Sequence, residues 1–211
     1  MPTTKGKMTQ AKVLEAATLL INKKGFTNTS INEIIRATGV KKGNLYFHFH
    51  SKEHIGLAIL KEVEADFFQF VLGNLRGKGP LEKLSSFFDA VLEKHKKTKF
   101  VGGCIVGNFA LEMSDSNPQF SNAVEEIFSK WRTVLTGLLI EARESGDLKT
   151  DISPGVLAKH IVATIEGAIM MARVSKSEKD LKDCLNSLRA LLGIKERGKY
   201  CAKRFSLQTK N

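Results

Sequence analysis

Apolar residues recur along this chain at steps of three and four almost throughout, the spacing that gathers side chains on one face of an α-helix. Val13, Leu14, Ala17, Leu20 and Ile21 trace the inner stripe of a helix over about residues 7–24, and Gly25 ends it as a C-cap glycine would. Ser30 followed by Glu33 is a capping box. It opens a short helix whose inner face is Ile31, Ile34, Ile35 and Ala37. Gly39 supplies a left-handed corner, Val40 plugs it, and another short helix follows. Ser51 can cap a long helix to about Leu75, although His54 stands where a capping box would carry its acid. Gly79-Pro80, Asn117-Pro118 and Ser153-Pro154 each read as a helix start. Those helices run to about Lys97, Ser145 and Ser175. A short apolar helix covers residues 104–114, and Ser177 caps a last one to about Leu192. There is no internal repeat, and no two-residue turn between alternating strands. The pattern predicts an all-α fold of about nine helices.

Charge divides the chain where hydropathy does not. Residues 1–60 carry nine Lys/Arg against three Asp/Glu, residues 61–194 carry eighteen of each, and residues 195–211 carry six against one. The net charge of +11 therefore lies at the two ends. A basic end segment is the electrostatic footprint of a phosphate-binding surface, although solvated basic faces are common. Three scattered cysteines, Cys104, Cys184 and Cys201, argue against a disulfide framework and for a reducing compartment. No apolar run approaches the roughly 18 residues of a membrane span, and the N-terminus lacks a signal-peptide core. The expectation is a cytoplasmic protein with no membrane partner.

The stretch KKGNLYFHF, Lys41 to Phe49, gives the basic end a purpose. Two short helices joined through Gly39-Val40 spell a helix-turn-helix over about residues 30–49. Its second helix would enter a major groove of double-stranded DNA. Gly43 permits close approach, Asn44 can pair with adenine or touch phosphate, and Tyr46 offers a ring and a hydroxyl. Lys41, Lys42 and Lys52 are point charges for the backbone. Leu45 and Phe49, four apart, face inward onto Val13, Ala17 and Ile34.

Thr29 to Ile55, TSINEIIRATGVKKGNLYFHFHSKEHI, resembles the DNA-binding signature of TetR-type transcriptional regulators through Gly39, Lys42, Gly43, Leu45, Tyr46, His48, Phe49, Ser51, Lys52 and Glu53. The likeness covers about residues 7–67. VGGCIVGNFALEMSD and IEGAIMMARVSKS also resemble ligand-domain segments of one branch of that family. The resemblance implies a DNA-binding domain over 7–67 and a helical ligand-binding and dimerisation domain over 68–194. It implies a homodimer on a near-palindromic operator, released by a small, mainly hydrophobic effector of unknown identity. Carried over by position, Thr29 and Lys52 fall at phosphate contacts with Ser30 beside Thr29. Lys41, Lys42, Gly43, Asn44, Tyr46 and His50 fall on or beside the recognition helix, and Phe47 at an exposed position without an assigned base.

In the neutral middle, candidate pocket residues are apolar groups with a few polar ones among them: Phe67, Phe68, Phe88, Cys104, Asn108, Phe109, Met113, Trp131, His160, Thr164 and Met171. Aromatic and Met residues at helical spacing are more often plain core. Glu112 and Glu166 lie in apolar helices, where each could pair with Arg132 or Arg173 or meet a cationic ligand. Cys104, after Gly102-Gly103, is either a small buried hydrophobe or a sensor of electrophiles or oxidants. Two helices with broad apolar faces, Leu157, Ile161, Ile165, Ala168, Ile169 and Ala172, then Leu181, Leu185, Leu188 and Leu192, would make a four-helix dimer interface. The basic tail, 195–211, is expected to be solvated and flexible. No catalytic order, metal-ligand cluster or phosphate loop is present in the sequence, so an enzyme is not expected and no cofactor is called for. An activator, or an architectural DNA binder without a ligand, remains the alternative.

Overall fold

The computed structural model describes residues 4–194, so the basic tail lies outside the described residues. Within that range the chain is all helical, in nine α-helices. They are α1 (Thr4–Lys24), α2 (Ile31–Thr38), α3 (Lys42–His48), α4 (Lys52–Asn74), α5 (Pro80–Lys97), α6 (Ile105–Met113), α7 (Pro118–Glu144), α8 (Pro154–Ser175) and α9 (Glu178–Leu191).

The predicted start and stop signals operate as chemistry. Ser30 Oγ accepts the Glu33 N–H at 3.2 Å while the Glu33 carboxylate accepts the Ser30 N–H at 2.9 Å. Gly39, at φ 66°, ends α2 and turns the chain toward α3. Ser51 Oγ caps α4 by accepting the His54 N–H at 3.1 Å. One inner-face assignment fails: Ala37 is exposed, and Thr38 turns inward instead. Its hydroxyl donates to the Ile34 carbonyl at 2.8 Å, so a polar residue fills the core position without an orphaned group.

Two apolar cores form, and they do not follow the boundary expected near residue 67. The first gathers Val13, Ala17, Ile21, Phe26, Ile34, Leu45, Phe49, Ile55 and Ile59 from α1–α4 and the α1–α2 turn, and continues into Val106 and Phe109 of α6 and Phe120, Val124 and Ile127 of α7. Three small helices cannot bury their own inner faces, so α6 and the first half of α7 complete them. The second core joins α5, the rest of α7, α8 and α9. Helix α7, about 40 Å long, runs through both. Phe67, Cys104 and Phe128 are half-buried and pack where both cores meet.

The expected dimer residues are corrected by burial. Leu157, Ile161, Ile165, Ala168, Ile169, Ala172, Leu181, Leu185, Leu188 and Leu192 are all buried within one chain. They hold α8 to α7 and α9, and α9 to α5. The outer face of α8 carries a different stripe: Val156, His160, Ala163, Gly167, Met170 and Val174, spaced four and three apart and exposed apart from the half-buried glycine. Contrary to the sequence expectation, α8 is long and apolar enough by composition to cross a membrane, with a mean hydropathy of 1.4 over its best window. Its inward face is the packed core just described.

Candidate functional site

The outward face of α3 is free of internal obligations. Lys41, Lys42, Gly43, Asn44, Tyr46 and Phe47 are exposed, while Leu45 is fully buried beneath them. Within the described residues, the side chains of Lys41, Lys42, Asn44 and Tyr46 make no hydrogen bond. A Cβ at Gly43 would meet nothing within 4 Å, so nothing inside the chain asks for a glycine there, at a helix cost of about 1 kcal/mol relative to Ala. Phe47 stands 78% exposed, touching the His48 ring edge-on at 5.1 Å. The His50 ring stacks on His54 at 5.5 Å and so turns back toward α4.

Two expected contact residues are structural instead. Thr29 is completely buried, and its hydroxyl donates to the Gly25 carbonyl at 2.8 Å. It closes the α1–α2 turn and presents nothing outward. Lys52 reaches back into the turn: Nζ donates to the Phe26 carbonyl at 3.0 Å and to the Thr27 carbonyl at 3.4 Å, and lies 4.5 Å from the Phe26 ring centre. Ser30 is exposed, but its hydroxyl is engaged in the capping box.

A joint ties this face to the rest of the molecule. Phe26 packs against Phe109 of α6 at 5.6 Å and Phe120 of α7 at 5.3 Å, and those two stack at 5.4 Å. Above the rings lies a polar relay. Asn108 of α6 donates to Asn22 of α1 and to the Gly102 carbonyl, both at 2.9 Å, and accepts from Arg173 of α8 at 2.8 Å. One turn on, the Glu112 carboxylate accepts the Thr27 N–H at 3.0 Å. Glu112 and Arg173 are thus committed to the joint, and Arg132 pairs with Glu125 at 2.5 Å. Neither arginine pairs with the expected glutamates.

The candidate pocket residues do not converge. Phe88 is buried in the second core and Phe109 in the first, and Met113 packs on the first. His160 and Met171 are exposed, Thr164 is half-buried, and Phe68 belongs to neither core. Phe67 and Trp131 do meet, edge to face at 5.2 Å, with Phe128 and Phe87 at 6.4 Å and 6.1 Å from Trp131. Trp131 is 4% exposed, and its Nε1–H has no hydrogen-bond partner among the described residues. Cys104 and Glu166 of α8 adjoin at Gly107, where an added Cβ would lie 2.5 Å from Glu166 Oε2 and 3.7 Å from Cys104 Cβ. Burial, with that carboxylate alongside, pushes the thiol well above its ordinary range. A thiol so placed is a poor nucleophile, which favours the packing role over sensing. Desolvation also raises the Glu166 carboxyl. Asn22 and Phe128 escaped the sequence reading because both look like ordinary members of amphipathic helices. The outer α8 stripe was visible as a four-three repeat beside the more apolar inner one.

Similarity to known proteins follows the same two-part plan. Residues 13–59 match the family described as bacterial regulatory proteins, tetR family, and residues 80–188 match the tetracyclin repressor-like C-terminal domain. The HTH-type transcriptional repressor DhaR of Mycobacterium sp. strain GP1 is 28% identical over 82% of this chain and 86% of its own. An HTH-type transcriptional regulator of the lacX 3' region of Lactococcus lactis is 30% identical over 80% and 85%. The crystal structure of a TetR transcriptional regulator from Chloroflexus aurantiacus superposes with a TM-score of 0.83 at 30% identity, over 90% of this chain and 97% of that one. With an exposed recognition helix on a core completed by the C-terminal helices, and with both halves matched, this chain belongs to the tetR family of bacterial regulatory proteins.

Proposed function

We propose that this protein is a cytoplasmic transcriptional repressor that binds a near-palindromic operator as a homodimer and is released by a small, mainly hydrophobic effector. The observation that carries the reading is the unpartnered outer face of α3. Lys41 and Lys42 meet phosphates, Asn44 and Tyr46 meet base edges or the flanking backbone, and Gly43 allows the helix to approach the groove closely. Phe47 adds an apolar surface for a thymine methyl. Lys52 contributes by fixing the α1–α2 turn, and Thr29 by closing it. The repressor assignment draws support from DhaR, itself a transcriptional repressor.

The second copy docks on the outer stripe of α8, where Gly167 allows close helix approach and Met170 and Val174 supply apolar surface. Two heads held there must reach successive major grooves, roughly 34–36 Å apart or a multiple of that. The effector changes that separation through α6. This helix is gripped by Arg173 of α8 on one side and grips Asn22 and Thr27 of the head on the other. An effector favouring one setting of α6 shifts the heads by its differential affinity for the two settings.

The test is an anisotropy titration against the DNA upstream of the protein's own gene and against random DNA, at several stated salt concentrations. A repressor keeps a large specificity ratio while both affinities fall with salt. Equal affinity for the two DNAs would replace the repressor with a nonspecific, architectural binder.

A further inference from the structure

We infer that Arg36, on the outer face of α2, clamps a backbone phosphate of the DNA beside the groove that α3 enters. The inference rests on the DNA-binding reading above and adds the first helix of the motif to the contact surface.

With Thr29 and Lys52 serving the α1–α2 turn, the head needs phosphate contacts from elsewhere. Lys41 and Lys42 both lie at the start of α3, so they hold one end of that helix. Arg36 is the only arginine among residues 1–60. It is exposed, in the last turn of α2, and two positions from each of the buried Ile34 and Thr38. At about 3.6 residues per turn, that spacing points it directly away from the core. Gly39 then turns the chain, so the outer faces of α2 and α3 adjoin at that corner.

Nothing in the head claims the guanidinium. Among the described residues Arg36 makes no hydrogen bond, ion pair or ring contact. Glu33 is the only acid between residues 16 and 52. Three positions before Arg36, it is the natural partner on the helix surface. The fold commits it elsewhere: its carboxylate pairs with Lys24 of α1 at 2.6 Å and closes the capping box with Ser30. The Lys24 bond, and then those to Ser30, hold the carboxyl down at about 2. Arg36 is left without an acid from its own motif.

In a docked helix-turn-helix, the helix ahead of the recognition helix crosses the sugar–phosphate backbone. A guanidinium on its outward face then meets phosphate, whose oxygens match the planar fork of an arginine. Attraction to the C-terminal end of the α2 dipole is the other task open to a cation at that place.

Titrations of the full-length protein against the DNA upstream of its own gene and against random DNA, at several salt concentrations, separate the two tasks. Arg36→Ala should bind both DNAs more weakly than wild type at low salt, by about fivefold or more. Its plot of log affinity against log salt should be shallower by about 0.9 for each copy of the chain on the DNA, the change expected per phosphate. Arg36→Lys should keep the wild-type slope, because the charge remains. Lys149→Ala removes an exposed charge from the connection ahead of α8 and should change neither slope nor affinity. An unchanged slope in Arg36→Ala, with a lowered melting temperature, would assign Arg36 to the helix dipole. A loss confined to the upstream DNA would make it a base reader, and an equal change in Lys149→Ala would reduce the effect to net charge. Each of these three results overturns the inference. The repressor reading fails separately: a wild type without preference for the upstream DNA removes the repressor, while the slopes on random DNA still decide Arg36.

Discussion

Lys52 and Tyr46 lie only six positions apart, yet the fold gives them different tasks. Lys52 donates to two backbone carbonyls of the α1–α2 turn and covers the Phe26 ring. Lys52→Ala is expected to destabilise the protein by about 1–2 kcal/mol in urea denaturation, alongside a uniform loss of affinity for all DNA. Tyr46, 38% exposed and without an internal hydrogen bond, should behave oppositely. Tyr46→Ala should weaken operator binding at least tenfold and leave the melting temperature unchanged; a lowered melting temperature would make it a core residue. Gly56 shows how tightly the joint is packed. A Cβ there would lie 2.7 Å from Phe120 and 2.8 Å from Phe26. Gly56→Ala should cost about 1–3 kcal/mol, read from the urea midpoint. The family resemblance placed Thr29 and Lys52 at phosphate-contacting positions. Only the turn geometry reveals that both face backbone carbonyls.

At the scale of elements, α6 is short but carries contacts to both sides of the molecule. Asn108→Ala leaves Arg173 and Asn22 without their shared partner, at an expected cost of about 1–3 kcal/mol. The same variant should still bind operator yet respond less to effector, which operator titration with and without ligand would measure. Helix α5 contributes a pH dependence. Burial, and then the neighbouring Lys94 charge, holds His95 at about 4. An unfolded histidine takes up its proton near 6.5. Between those values the unfolded chain binds more protons, so stability falls as pH drops from about 6.5 to about 4, by on the order of 3 kcal/mol, and is unaffected above that window. Urea midpoints across pH 4–7 should show the slope, and His95→Gln should flatten it. The short helices, their caps and their order were legible because capping boxes, Pro at helix starts and C-cap glycines are local chemistry.

For the whole molecule, the decisive question is which apolar stripe stays uncovered. Residues such as Ile165 and Leu185 are buried inside one chain, whereas Met170 and Val174 are 58% and 81% exposed. Met170→Lys is therefore expected to shift sedimentation toward the monomer with little change in helix content. Ile165→Val should cost about 1 kcal/mol of stability and leave the association state alone. The reverse pattern would return the interface to the inner stripe. The boundary expected near residue 67 came from the family likeness, and the first core continues past it into α6 and α7.

Read alone, the sequence determined the helical class, the helix order, the helix-turn-helix and its outward residues. Those follow from periodicity and from side chains acting within a few positions of themselves. Which apolar face is core and which is free was decided by the tertiary structure, because both faces of α8 carry a helical repeat and only packing against α7 and α9 distinguishes them. Tertiary structure likewise decided that Asn22, Asn108 and Arg173 form one relay. Such facts depend on side chains brought together from tens of residues apart, and no local pattern records them.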